Sequence, residues 1–257
     1  MTQSGGGQWA DLGQRFLSGG VAAVIGLTAM WLGGITFHIL IALICGIMVW
    51  ELVRMIGAPD KAVLLGTIAG VALFAAVELP DGFALPLILL PALLGATQTE
   101  EHRLTYTLYT AAILIAGFGL VALRDDFGFS WMAWLALVVI ATDIMGYFAG
   151  KYIGGPKFWP KVSPKKTWSG TVGGWVAAAA VGAFFGGWPL ILVSVVTSFF
   201  SQMGDAAESA IKRRTGVKDS SNLIPGHGGL MDRFDALMGA SLFIMLVGAI
   251  VGLPTGQ

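Results

Sequence analysis

The sequence predicts an all-α fold, a polytopic transmembrane helical protein of about nine spans with its N-terminus in the cytoplasm. Three observations predict it. Of 257 residues, 56% are hydrophobic and only 12% are charged, with a mean hydropathy of +0.78; a soluble chain carries roughly 25% charged residues. Apolar runs close to the ~20 residues that cross about 30 Å of hydrocarbon recur from end to end. Threading the chain through spans at about 16–34, 35–55, 61–78, 82–98, 105–123, 129–150, 169–187, 188–211 and 236–253 also sorts its charges. Arg15, Arg54, Lys61, Arg103, the five lysines from Lys151 to Lys166, and Lys212, Arg213, Arg214, Lys218 and Arg233 fall on the side of the N-terminus. That is 14 of the 15 basic residues; Arg124 alone lies opposite, beside Asp125 and Asp126. Basic residues of short loops stay in the cytoplasm, which orients the chain.

The first 14 residues hold the polar, glycine-rich TQSGGGQ and read as a flexible cytoplasmic tail. They lack the basic start and small-residue cleavage site of a secretory signal, so the first span is expected to be retained. The second span ends in Trp50, Glu51 and Arg54, and it contains the lone Cys45. One cysteine cannot form a disulfide within the chain, and in an apolar run it packs as a small hydrophobe. The next three spans are apolar throughout and complete an N-terminal helical region at 15–128.

Polar chemistry begins in the C-terminal region, 129–257. Asp143, Tyr147 and Lys151 recur every four residues on one face of the sixth span. The loop at 151–168 mixes lysines with prolines, glycines and tryptophans, including Lys165, Lys166 and Thr167. Such a loop suits a basic collar on anionic headgroups as well as a phosphate site. Ser169, Gly170 and Thr171 then open the seventh span, where helix N–H groups can meet an anion. Near the end of the eighth span, Asp205, Glu208, Ser209 and Lys212 follow one another at i, i+3, i+4 and i+7. A carboxylate near hydrocarbon costs about 2.5–3.5 kcal/mol, so it faces a cavity or a partner. A helix-end anchor explains Lys212, Arg213 and Arg214 but not two deeper acids a turn apart.

The loop at 212–235 concentrates the rest. KDSSNLIPGHGGLMDRFD contains Lys218, Asp219, Asp232, Arg233 and Asp235 around the turn Pro225–Gly226–His227–Gly228–Gly229. Successive backbone N–H groups of a glycine-rich turn form a concavity for phosphate oxygens. Acids and cations around such a nest are what Mg²⁺–nucleotide chemistry requires. His227 is open to either a catalytic or a structural role.

These residues carry a family resemblance. Ser209–x2–Lys212–Arg213–x4–Lys218–Asp219–x5–Pro225–Gly226–His227–Gly228–Gly229–x2–Asp232–Arg233–x–Asp235 is similar to the signature of phosphatidate cytidylyltransferases, also called CDP-diacylglycerol synthases. The likeness extends upstream through Gly204–Asp205, Glu208, the SPKKTWSG stretch at 163–170, Asp143 and Gly150–Lys151, covering roughly 140–236. Before that it rests on hydrophobicity, Arg15 and the Trp50–Glu51 pair. Ser221 stands where glycine is frequent in the family, and Ala236 where a small hydroxyl residue is.

The resemblance implies a membrane nucleotidyltransferase that condenses CTP with phosphatidic acid, giving CDP-diacylglycerol and pyrophosphate for phospholipid synthesis. It implies Mg²⁺ at Asp205 and Asp232, with K⁺ as a candidate second cation; Asp143, Glu208 and Asp235 stand behind as further metal candidates. Lys212, Arg233 and Asp235 are expected in the catalytic set. Lys165, Lys166, Thr167, Ser169, Ser209, Arg213, Lys218, Asp219, Gly226, His227, Gly228 and Gly229 are expected around the substrates. Expected partners are CTP, phosphatidic acid and membrane lipids; nucleic acid is not among them, and a homodimer is compatible with the reading. A bacterial chain of this kind would lie in the inner membrane with its site on the cytoplasmic face. A transporter would place its acids at mid-membrane and show internal repeats. The one Asp–Gly, Asp81–Gly82, is followed by FALP and so lacks the CDP-alcohol phosphotransferase pattern. A CTP-dependent lipid kinase differs in moving the γ-phosphate.

Overall fold

The computed structural model describes residues 6–160, 162–224, 226 and 228–250. Lys161, Pro225, His227, residues 1–5 and the side chain of Arg15 therefore lie outside the described residues.

The chain is an all-helical bundle with one small ribbon. Its helices are α1 (Gly6–Leu32), α2 (Gly34–Met55), α3 (Pro59–Glu78), α4 (Ala84–Ala96), α5 (Arg103–Phe127), α6 (Phe129–Tyr152), α7 (Trp168–Thr215) and α8 (Met231–Ile250). Among the described residues, five of them, α2, α3, α5, α6 and α7, are long and apolar enough to cross a membrane. The helix α1 begins at Gly6, inside the segment expected to be a tail. A 3₁₀ turn at Asp81–Phe83 takes up the start of the expected fourth span, leaving α4 with 13 residues. At 1.5 Å per residue that is roughly 20 Å, short of the hydrocarbon thickness.

Helix α7 runs for 48 residues but is broken at Gly186–Gly187. Gly187 has φ 72°, a left-handed conformation that glycine adopts without strain. The two limbs fold back on each other there, and Lys166, just before α7, reaches the Gln202 carbonyl near its far end at 3.3 Å. The break falls where the sequence separates the seventh and eighth spans.

The central helix is α5, the most buried of the five, packed against α2, α3, α4, α6 and α8. Helix α7 packs chiefly on α6 and α8. Buried hydroxyls pin the α6–α7 contact: Trp134 donates to Ser194 Oγ at 2.9 Å, and Thr142 donates to Ser198 Oγ at 2.8 Å. The α7–α8 crossing is tighter. A Cβ on Gly204 would lie 2.2 Å from the Asp235 carbonyl oxygen, and one on Gly239 2.2 Å from that of Phe200. Side chains at these two positions would force the helices apart, so glycine here sets Asp205 of α7 against Asp235 of α8.

The 151–168 segment is more ordered than a loop reading suggests. Lys157–Trp159 pairs antiparallel with Ser163–Thr167, forming strands β1 and β2. Period-2 alternation is too short over three to five residues to stand out beside prolines and lysines. The opposite end of the bundle is tied separately, with His38 between Glu78 (2.6 Å) and Asp125 (2.8 Å).

Candidate active site

One end of the bundle collects the C-terminal ends of α2 and α6, both ends of α7 and the start of α8. The i, i+3, i+7 spacing on α7 does what it predicts, presenting Asp205, Glu208 and Lys212 to α8. Across the glycine crossing stands Asp235. The carboxylates of Asp205, Glu208 and Asp235 each place an oxygen within 4.8 Å of the others. Glu208 and Asp235 are buried, while the Asp205 side chain keeps 33% of its exposure.

Two lysines border this trio. Lys166 forms an ion pair with Asp205. Lys212 donates to Glu208 Oε2 and to Asp232 Oδ1, at 2.6 Å each. Glu208 Oε1 remains buried with no hydrogen-bond partner among the described residues. Three acids this close repel one another unless a cation or shared protons lie among them. An all-oxygen donor set with an unclaimed buried oxygen matches what a hard divalent cation takes. These residues fit such an ion.

Asp232 is not one of the three, which differs from its expected place beside Asp205. Its Oδ2 accepts from Ser220 N (3.0 Å), Ser220 Oγ (2.8 Å) and Gly229 N (2.8 Å), while Oδ1 takes Lys212. Asp232 precedes the apolar part of α8, which starts at Ala236. Burial alone would raise its pKa, but the Lys212 contact and the Gly229 and Ser220 donors outweigh that and bring it down to about 2. The physical reason for its placement is local: Ser220 and Gly229 both aim backbone N–H groups at the nearest carboxylate.

Beside the trio, between α6 and α7, lies a cleft of about 360 Å³. Asp143, Lys151, Lys165, Lys166, Thr167 and Asp205 are among its lining residues. That volume lies within the usual range of small-molecule sites. Thr167 accepts from Gly170 N at 3.2 Å and so caps α7, and Ser169 bonds Thr167 and the Gly154 carbonyl. Both hydroxyls, expected at the substrate, thus also hold the start of α7 in place beside the cleft. Ser209 bonds Asp205 at 3.4 Å. Arg213, Lys218, Asp219, Arg233 and Gly226 are exposed around the same end, and Gly228 lies against Asp232.

Several residues here were not singled out for the site. Glu51 is fully buried and binds the start of α8. Ser220 joins Glu51 to Asp232, and Gln202 lines the cleft. A charged residue inside the second apolar run was the available signal for Glu51; Ser220 and Gln202 had none.

Fold and site together define a helical membrane protein that gathers acids and lysines beside a cleft at one end of its bundle. A family model described as the cytidylyltransferase family matches residues 13–251, and the chain belongs to that family. It is 36% identical over 265 residues to a phosphatidate cytidylyltransferase of Brucella abortus biovar 1 (strain 9-941), covering 95% of this chain and 96% of the relative. It is 34% identical over 262 residues to one of Bacillus subtilis (strain 168), covering 91% and 95%. A third, of Staphylococcus haemolyticus (strain JCSC1435), is 33% identical over 245 residues, covering 87% and 94%.

Proposed function

We propose that this protein is an integral membrane nucleotidyltransferase that condenses CTP with phosphatidic acid, giving CDP-diacylglycerol and pyrophosphate. The observation that carries the reading is the Asp205–Glu208–Asp235 trio, flanked by Lys166 and Lys212, with Asp205 lining the cleft. The end-to-end match to phosphatidate cytidylyltransferases supports the choice of substrates.

An oxygen of the lipid phosphate attacks the α-phosphorus of CTP. A new P–O bond forms there as the bond to the bridging oxygen of the β-phosphate breaks, and pyrophosphate leaves with that electron pair. No protein nucleophile is needed, and the attacking phosphate is anionic at neutral pH, so positioning and charge neutralisation do most of the work. Asp205, Glu208 and Asp235 would hold Mg²⁺, which supplies positive charge to phosphate oxygens and to the leaving pyrophosphate. Lys165 and Lys166 face the cleft and bind phosphate oxygens. Lys212 keeps Glu208 and Asp232 together, and Asp232 in turn ties Ser220 to Gly229 through its own carboxylate. Arg213, Lys218 and Arg233 draw the polyanionic substrates to this end.

The site lies on the cytoplasmic face in this reading, where CTP is available. The asymmetry of the basic residues supports that orientation. A nine-span topology counts the limbs of α7 separately and includes α1, α8, and α4 together with the 3₁₀ turn before it, Asp81–Ala96. The test is product analysis with the purified protein in detergent. Label from α-³²P-CTP should enter the lipid phase only with phosphatidic acid and a divalent cation present; label arriving from the γ-position would establish a kinase instead.

A further inference from the structure

Glu51 sits on α2, 180 residues ahead of Met231 in sequence, and is fully buried. Its Oε1 accepts from Ser221 Oγ (2.6 Å) and Leu230 N (2.8 Å). Its Oε2 accepts from Met231 N at 2.7 Å, with Ser220 Oγ at 3.2 Å. Leu230 and Met231 open α8, whose first N–H groups have no acceptor within the helix. A carboxylate from another helix fills that need, and the helix dipole favours its charge there.

The same carboxylate shapes the polar turn. A Cβ on Gly229 would lie 2.5 Å from Glu51 Oε1 and 1.9 Å from Ser220 Oγ, so only glycine leaves room for the contact. Ser220 lies between the two acids, its hydroxyl 2.8 Å from Asp232 Oδ2 and its N–H also on that oxygen. The chain of contacts then continues from Asp232 through Lys212 to Glu208. Glu51 is thus the fixed point on the N-terminal helices against which the turn, the start of α8 and the Lys212 bridge are set.

We propose that Glu51 is a positioning residue for the transfer reaction, anchoring residues 220–231 so that Asp232, Lys212 and Asp235 keep their places against α7. The proposal rests on the cytidylyltransferase reading of the site. Glu51→Gln isolates the effect because shape is preserved. An amide nitrogen at either oxygen position would face one serine hydroxyl and one backbone N–H. The hydroxyl can turn and accept; the backbone N–H cannot, so one end of α8 loses its acceptor.

The experiment compares wild type and Glu51→Gln, full-length in detergent, by hydrogen–deuterium exchange and steady-state kinetics. Amides of 220–231 should exchange faster in the variant. The kcat should fall about 10–100-fold, as when outer partners of a metal site are removed, with KM for CTP little changed. Leu73→Ala, a cavity at a buried side chain of α3, controls for lost stability and should keep both the wild-type kcat and the exchange of 220–231. Wild-type kcat in Glu51→Gln overturns the proposal, and so does a kcat loss with unchanged exchange or one matched by Leu73→Ala. Should Glu51→Gln fail to accumulate, Ser221→Ala must show faster exchange in the same segment, and unchanged exchange there overturns the proposal. A wild type that makes no CDP-diacylglycerol would remove the functional reading, while the exchange result would still decide whether Glu51 anchors the turn.

Discussion

Lys212→Met keeps most of the side chain's length and apolar stem while removing its charge. The Lys212 side chain is 14% exposed, and its ammonium bridges Glu208, 1% exposed, and Asp232, 10% exposed, at 2.6 Å each. Removing one partner of a buried ion pair costs about 3–5 kcal/mol, because the remaining charge stays buried without compensation. The burden falls unevenly. Asp232 keeps its donors from Ser220 and Gly229, whereas no other donor to Glu208 exists among the described residues. At about 2–4 °C per kcal/mol for a chain of this size, the melting temperature should drop by about 6–20 °C. Cys45, the single cysteine, is 4% exposed and gives a built-in reporter: a thiol-reactive dye fluoresces only as the bundle opens. Adding Glu208→Gln removes the stranded charge, so the double variant should melt above Lys212→Met, the coupling expected of directly interacting residues. An unchanged melting temperature in Lys212→Met, or a double variant that loses the sum of both effects, would refute the bridge.

Two further outcomes follow from the same geometry. Asp205→Asn and Asp235→Asn should each lower kcat by about 10²–10³, or ~2.7–4 kcal/mol. The double variant should be scarcely worse, since residues acting as one unit are non-additive; losses that multiply in steady-state assays would mean that the two acids act separately. For topology, a cysteine at Asn222 should be shielded from impermeant thiol reagent in intact cells and one at Asp125 labelled, with buried Cys45 silent. Labelling of Asn222 from outside would reverse the orientation.

Much of the architecture was legible because hydropathy and chain punctuation are local. The long apolar runs mark the helices, and Gly186–Gly187 marks the fold-back of α7. The spacing of Asp205, Glu208 and Lys212 is enough by itself to place three side chains on one face. What sequence spacing does not contain is which face meets which. Asp235 joins the trio because Gly204 and Gly239 let two backbones touch, a contact between helices. Asp232, three residues earlier on α8, meets the turn instead, so two acids of one motif receive different partners. Glu51 was visible as a charge in an apolar run, but its partners lie 169–180 residues away. The β1–β2 ribbon was hidden because its short strands are read first as a basic loop.

Transfer of a cytidylyl group to a membrane lipid underlies every role assigned to these residues. The most direct measurement incubates the purified protein with phosphatidic acid, a divalent cation and CTP labelled in turn at the α- and γ-phosphorus, then identifies the labelled lipid. The expected product is CDP-diacylglycerol carrying α-label, with γ-label released as pyrophosphate. A lipid carrying γ-label, or no lipid product from well-folded wild-type protein, would contradict that chemistry.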